Sequence, residues 1–175
     1  MQRISRLFSS PSAIVVGGIL IGLVFGFTAL PQPADAAGGP FTPLAGSWSG
    51  GGTIQPGNGA TERIRCNANY RPRGSSGHEV DLDLRCASDS YNFDLVGQFS
   101  ADSGNRLSGQ WTERTRNIGG GAVGLARGDS LQVHVESGGF AADLSLVTRG
   151  RRQNVAINSA GGGQIVKAQI TLSRR

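Results

Sequence analysis

The two histidines are the first candidates for catalysis in this chain, because imidazole is well suited to proton transfer near neutral pH. His78 and His134 fall on polar faces or strand ends of different predicted strands. Neither has an acidic residue at a spacing typical of a catalytic triad, and the motifs G-x-S-x-G, S-x-x-K and H-E-x-x-H are absent from the chain. We therefore expect no catalytic residues and a protein that is not an enzyme.

A glycine-rich stretch could suggest a nucleotide cofactor. Residues 119–124 read Gly-Gly-Gly-Ala-Val-Gly and fit G-x-G-x-x-G. The dinucleotide mechanism requires a strand, this turn and then the start of a helix, whereas both flanks here have the pattern of strands. We interpret the match as accidental and expect no cofactor.

The N-terminus, residues 1–36, is predicted to be an export signal. Arg3 and Arg6 give a positive start, residues 13–30 form an uncharged apolar run of 18 residues, and Ala34-Asp35-Ala36 has the small-x-small cleavage pattern. Cleavage after Ala36 would leave a mature chain without a membrane span, in the periplasm or secreted. The alternative is an uncleaved inner-membrane anchor, because the run is near the lower length limit for crossing a bilayer.

Cys66 and Cys86 are the only cysteines in the chain. An even count in an exported protein predicts one disulfide bond, which would stabilise the fold by about 3 kcal/mol for a loop of this length. Two cysteines and two scattered histidines are too few ligands for a metal site, so we expect no bound metal.

The mature chain has a period of two in its apolar residues. In ERIRCNANY (62–70) and HEVDLDLRC (78–86), apolar and polar residues alternate, and clusters of Gly, Pro, Asn and Asp separate such runs. This predicts an all-β fold, a single antiparallel up-and-down barrel or a sandwich of about eight to ten short strands. Residues 37–43 are predicted to be a linker and residues 44–175 the barrel domain.

The alternation also identifies residues that should face the interior. Glu62 and Glu113 share the parity of apolar neighbours, and an inward carboxylate is costly unless it is paired. Each is therefore expected to pair with an inward arginine, to line the polar mouth of a cavity, or to reach water at a strand end. The candidate interior residues are Trp48, Glu62, Tyr70, Tyr91, Phe93, Trp111, Glu113 and Phe140.

Both tryptophans occur in the pattern Leu-x-Gly-x-Trp, at residues 44–48 and 107–111. Glycine in a strand marks a bend or a close backbone approach. Trp48 and Trp111 are predicted to fill the narrow end of a barrel and to pack in one core layer. The repeated motif and the strand rhythm resemble lipocalin and avidin-like (calycin-type) barrels, which implies a ligand in the interior. Two tryptophans are too few to carry over biotin binding.

Three short pieces, LAGSWSG, ERIRC and LRCASDSY, are similar to uncharacterised exported proteins of alphaproteobacteria. This resemblance suggests a bacterial envelope and implies no specific function.

After Ala36 the chain has 14 arginines and Lys167 against 11 acidic residues, a net charge of +4. These arginines alternate with acids and form no dense run, which indicates a solvated outer face and argues against nucleic acid as a partner. Anionic partners in the envelope remain an alternative, because arginine binds phosphates and carboxylates bidentately.

The functional hypothesis is a non-enzymatic barrel that binds a small apolar or mixed ligand. Two alternatives remain open. Small exported inhibitors of metalloproteases resemble this chain in a LAGSW-like start, one disulfide and a barrel, which implies action through a free segment such as residues 37–42. The other alternative is a structural envelope protein. The inhibitor requires a flexible N-terminus and a filled core, whereas the binder requires an open cavity.

Overall fold

The computed structural model describes residues 38–160 and 165–175. After a short 3-10 helix, Thr42–Leu44, the chain forms ten strands. They are β1 Gly46–Pro56, β2 Glu62–Pro72, β3 Glu79–Ala87, β4 Asn92–Ala101, β5 Arg106–Glu113, β6 Ile118–Arg127, β7 Ser130–Ser137, β8 Phe140–Arg149, β9 Arg152–Ala160 and β10 Ile165–Arg174. Each strand pairs antiparallel with the next, and β1 pairs with β10, so the sheet closes into one up-and-down barrel. This confirms the all-β barrel and excludes the sandwich.

The predicted export signal lies outside the described residues. Within residues 38–160 and 165–175, no helix has the length and apolar character needed to cross a membrane.

The pairing between β1 and β10 depends on glycines on the inward face of β1. Gly50 lies opposite Leu172 and Gly52 lies opposite Ile170. A Cβ atom on Gly50 would collide with the carbonyl oxygen of Thr171, and one on Gly52 with that of Gln169. The glycines that follow Trp48 in the sequence are therefore required by the close approach of the strand that closes the barrel.

Cys66 and Cys86 lie directly opposite each other on β2 and β3 and form a disulfide, with their Cα atoms 4.1 Å apart. Both side chains are buried. The bond joins neighbouring strands on the inward face, and a disulfide of this kind fits an oxidising compartment.

One end of the barrel, where β1 begins at Gly46, is closed by the residues that precede β1. Phe41 and Leu44 are both 3% exposed and Trp48 is 1% exposed. The indole Nε1 of Trp48 donates a hydrogen bond to the carbonyl oxygen of Leu44 at 2.7 Å, and the guanidinium of Arg174 lies over the Trp48 ring, 4.7 Å from its centre. We call this the closed end.

The segment predicted to be a linker, residues 37–43, is part of this closure from residue 39 onwards. The Gly39 N–H donates to the Ser76 carbonyl oxygen at 2.6 Å, and the Phe41 N–H donates to that of Gly77 at 3.0 Å. The linker prediction is therefore wrong over these residues. The small residues around Phe41 suggested an exposed connection, but burial of its ring fixes the segment to the barrel.

The two tryptophans do not share one core layer, so that prediction is also wrong. Strands β1 and β5 run in the same direction, and Trp48 is the third residue of β1 whereas Trp111 is the sixth of β5. Trp48 consequently lies at the closed end and belongs to the packed core cluster, which does not include Trp111. The same five-residue motif starts at different depths in the two strands.

Replacing Trp48 with alanine should lower the free energy of unfolding by about 3–5 kcal/mol, because the change leaves a large void beneath the closed end. Urea denaturation followed by circular dichroism measures the loss. Val123→Ala, on the outer face at a residue 59% exposed, is the control and should change stability by less than about 0.5 kcal/mol. Equal stability of wild type and Trp48→Ala would contradict the packed closure.

Candidate ligand-binding site

The middle of the barrel is hollow. Inward-facing side chains there are apolar yet only half-buried, among them Leu82, Leu84, Val133, Leu144, Val155 and Ile157. They line a cavity of about 510 Å³. An eight-stranded barrel is about wide enough for its own side chains to fill. Ten strands enclose a wider interior, and aliphatic side chains of ordinary size leave a void along its axis.

The floor of the cavity, at the closed end, contains a chain of buried polar groups. The Tyr70 hydroxyl donates to Gln153 Oε1 at 3.0 Å, and Gln153 Nε2 donates to Thr148 Oγ1 at 3.2 Å. Gln153 is fully buried. Burial raises the pKa of Tyr70 to about 12, although its bond to Gln153 acts in the opposite direction, so the phenol stays neutral at physiological pH. These bonds link β2, β9 and β8 across the closed end.

Aromatic side chains surround the opposite, open end. Trp111 and Phe140 pack edge to face with ring centres 6.3 Å apart. The guanidinium of Arg116, in the turn between β5 and β6, lies 5.1 Å from the centre of the Phe93 ring. Ile118 at the start of β6 is 42% exposed and also lines the cavity. An entering molecule would therefore meet aromatic and aliphatic surface first.

Glu113 is a buried carboxylate in the cavity wall near this opening, 3% exposed. It accepts hydrogen bonds from the N–H groups of Asp94 at 3.0 Å, Thr115 at 3.1 Å and Arg116 at 2.8 Å, and Arg116 Nη1 lies 3.4 Å from its Oε2. Burial alone would raise the pKa of Glu113, but these hydrogen bonds outweigh it and lower the pKa to about 2. The carboxylate is thus ionised, and it holds the turn that carries Arg116.

The predicted interior residues divide into three groups. Tyr70, Phe93, Trp111, Glu113 and Phe140 line the cavity. Trp48 is buried beneath it at the closed end.

Glu62 and Tyr91 form the third group, at the end of the barrel where β2 begins. Glu62 accepts hydrogen bonds from the Ser88 hydroxyl at 2.8 Å and the Ser90 N–H at 3.2 Å, and these bonds lower its pKa. Tyr91 is half-buried against the core cluster. Neither residue lines the cavity.

Two parts of the site were absent from the predicted set. The aliphatic wall has the inward parity of its strands, so the alternation contained the signal, but only aromatic and acidic residues were selected from it. Arg116 lies in a turn, where strand parity does not apply. Its position relative to Phe93 depends on how the turn folds back towards β4, which no local pattern reveals.

His134 has carboxylate neighbours that sequence spacing did not suggest. On the outer face, its Nδ1 lies 2.7 Å from Asp143 Oδ1 on the adjacent strand and its Nε2 lies 3.0 Å from Glu136 Oε1. These two contacts, that with Asp143 first, raise the pKa of His134. Both ring nitrogens are engaged by carboxylates, so neither is available to accept a proton from a nucleophile. His78 lies at the closed end, with Nδ1 3.3 Å from the Ala101 carbonyl oxygen.

Comparison with known proteins identifies the fold. No protein-family model matches the chain, and no curated protein matches it. Among solved structures, Rv2717c from M. tuberculosis is similar, with a TM-score of 0.63 and 15% identity over 77% of this chain and 94% of that one. The S-type phycobiliprotein lyase CPES from Guillardia theta is also similar, with a TM-score of 0.55 and 11% identity over 77% and 89%. Both support a ten-stranded antiparallel barrel; at these identities the likeness concerns the fold alone.

Acidification should destabilise the protein through Glu113. Because its pKa is lower in the folded than in the unfolded chain, its contribution is fully present above about pH 4.5 and is lost as the pH falls towards 2. The loss amounts to at most roughly 3 kcal/mol. Urea denaturation across this pH range should show a smaller acid-induced loss in Glu113→Gln than in wild type. Identical pH profiles for the two proteins would contradict the assignment.

Proposed function

We propose that this protein is a non-enzymatic binding protein of the bacterial envelope that holds a small, uncharged and largely apolar molecule inside its barrel. The observation that carries the proposal is the hollow apolar interior. Its volume of about 510 Å³ lies within the roughly 300–1,000 Å³ typical of small-molecule sites. Leaving core side chains half-buried costs stability, which a ligand that fills the space would restore.

The charges in the cavity wall favour a neutral ligand. Within the described part of the chain, Glu113 and Arg116 are the only charged side chains that line the cavity, and they lie 3.4 Å apart. A ligand with a charge deep in the barrel would have to be desolvated without a partner of opposite charge. A small polar group close to Arg116, at the open end, would meet no such penalty.

The same side chains support a role without catalysis. The pKa of Glu113 is about 2 and that of Tyr70 is about 12. Efficient proton transfer needs a group whose pKa lies near the working pH. Both groups are also engaged in hydrogen bonds that hold the barrel together. The likeness of the fold to a phycobiliprotein lyase gives no reason to assign the reaction of that protein to this chain.

Two observations weigh against the alternatives. An inhibitor acting through residues 37–42 would first have to detach Phe41 from the closed end, where that side chain is 3% exposed. A purely structural protein gains nothing from an empty interior. The Cys66–Cys86 disulfide supports the envelope as the location, since such bonds persist in oxidising compartments.

Titration with the neutral apolar dye N-phenyl-1-naphthylamine tests the proposal. We expect saturable fluorescence enhancement with one site per chain. Val135→Phe places a larger ring in the cavity wall and should weaken dye binding at least tenfold, which is about 1.4 kcal/mol.

Val123→Phe is the matched control, because it makes the same substitution on the outer face of the neighbouring strand β6. It should leave the affinity for the dye unchanged. Absence of saturable binding, or equal weakening in the two variants, would refute an internal site.

A further inference from the structure

The arginines that are dispersed in the sequence are concentrated in the structure. On one side of the closed end, six lie at the ends of β6 and β8, in the turn from β8 into the start of β9, and at the end of β10 with the residue that follows it. They are Arg127, Arg149, Arg151, Arg152, Arg174 and Arg175. We call this surface the arginine face. One carboxylate lies among them, Asp129, which binds Arg149.

Hydrogen bonds join these segments into one surface. The Thr148 N–H donates to the Asp129 carbonyl oxygen at 2.9 Å, which connects the two turns. Arg151 Nη2 donates to the Arg174 carbonyl oxygen at 2.9 Å, and the Arg174 N–H donates to the Arg151 carbonyl oxygen at 2.9 Å. The segments that carry these arginines are therefore joined at the closed end, and the Arg175 side chain extends from them to Ser49 Oγ on β1 and Asn67 Oδ1 on β2.

The other half of the closed end carries balanced charge. Arg73 lies 3.7 Å from Glu79 and 3.3 Å from Asp81, and Arg106 lies 2.9 Å from Asp102. On the arginine face, by contrast, Arg127, Arg151 and Arg152 are exposed and form no ion pair with any carboxylate in residues 38–160 and 165–175. Six arginine side chains against one aspartate leave five positive side-chain charges, of which that of Arg175 extends over β1 and β2.

We propose that the arginine face docks the protein onto the surface of an anionic phospholipid membrane. Guanidinium groups bind phosphate bidentately, and each basic residue near an anionic bilayer strengthens attachment. The chain enters the barrel at this same end.

The shape of the surface argues against nucleic acid as the partner. It consists of turns at the end of a barrel and has no helix or ribbon to enter a groove. Single-stranded nucleic acid is held by stacking on aromatic side chains. Trp48, which lies beneath the Arg174 guanidinium, is buried, and Phe41 at the same end is also buried.

Sedimentation with vesicles tests the proposal, using the purified protein in its processed form. We expect binding to vesicles of phosphatidylcholine with phosphatidylglycerol, release at high salt, and no binding to pure phosphatidylcholine. The triple variant Arg127→Gln, Arg151→Gln, Arg152→Gln should bind on the order of 100-fold more weakly.

The control variant, Arg63→Gln, Arg65→Gln, Lys167→Gln, removes the same charge from exposed positions on the barrel wall and should bind nearly as well as wild type. Equal loss in both variants would overturn the proposal, because binding would then follow net charge alone. Salt-resistant binding to both kinds of vesicle, or tighter binding to single-stranded DNA than to anionic vesicles, would overturn it as well.

Discussion

The antiparallel pairing of β1 with β10 is the contact on which the rest of the structure depends. It removes both edges of the sheet, which would otherwise expose unpaired backbone groups to other chains. Because this pairing closes the barrel with ten strands, it also sets the width of the interior. At that width inward leucines and valines cannot meet across the centre, and a cavity follows from closure itself. Gly50 and Gly52 permit the pairing, because their missing side chains leave room for the β10 backbone.

Closure also distinguishes the two ends of the barrel. At one end Phe41, Leu44 and Trp48 pack beneath a chain of buried hydrogen bonds from Tyr70 to Thr148, which seals the interior. At the other end, the ionised Glu113 accepts hydrogen bonds from the backbone N–H groups of Thr115 and Arg116, and Arg116 lies beside Phe93. A ligand of the kind that we propose would therefore enter at the open end. The arginine face belongs to the closed end, so membrane attachment and ligand entry would not compete for one surface.

Much of the fold could be predicted because its pattern is local. A period of two in ERIRCNANY assigns Ile64, Cys66 and Tyr70 to one face without knowledge of any partner strand, and all three are buried. The incorrect predictions concern features that depend on contacts between residues distant in the sequence. The residues around Phe41 have the composition of a linker, but their backbone N–H groups donate hydrogen bonds to the carbonyl oxygens of Ser76 and Gly77. Trp48 and Trp111 share a motif but differ in depth, because the motif begins before β1, at Leu44, and within β5, at Leu107. The arginine face joins residues between 127 and 175, so no sequence window reveals it.

The central claim is that the interior is hollow and apolar, and crystals of the protein pressurised with xenon test it most directly. Xenon enters dry apolar cavities and is visible through its anomalous scattering. We predict xenon within the barrel, in contact with residues of the aliphatic wall such as Leu84 and Leu144. An interior without xenon, in which side chains have closed the space or ordered waters fill it with hydrogen bonds, would contradict the account.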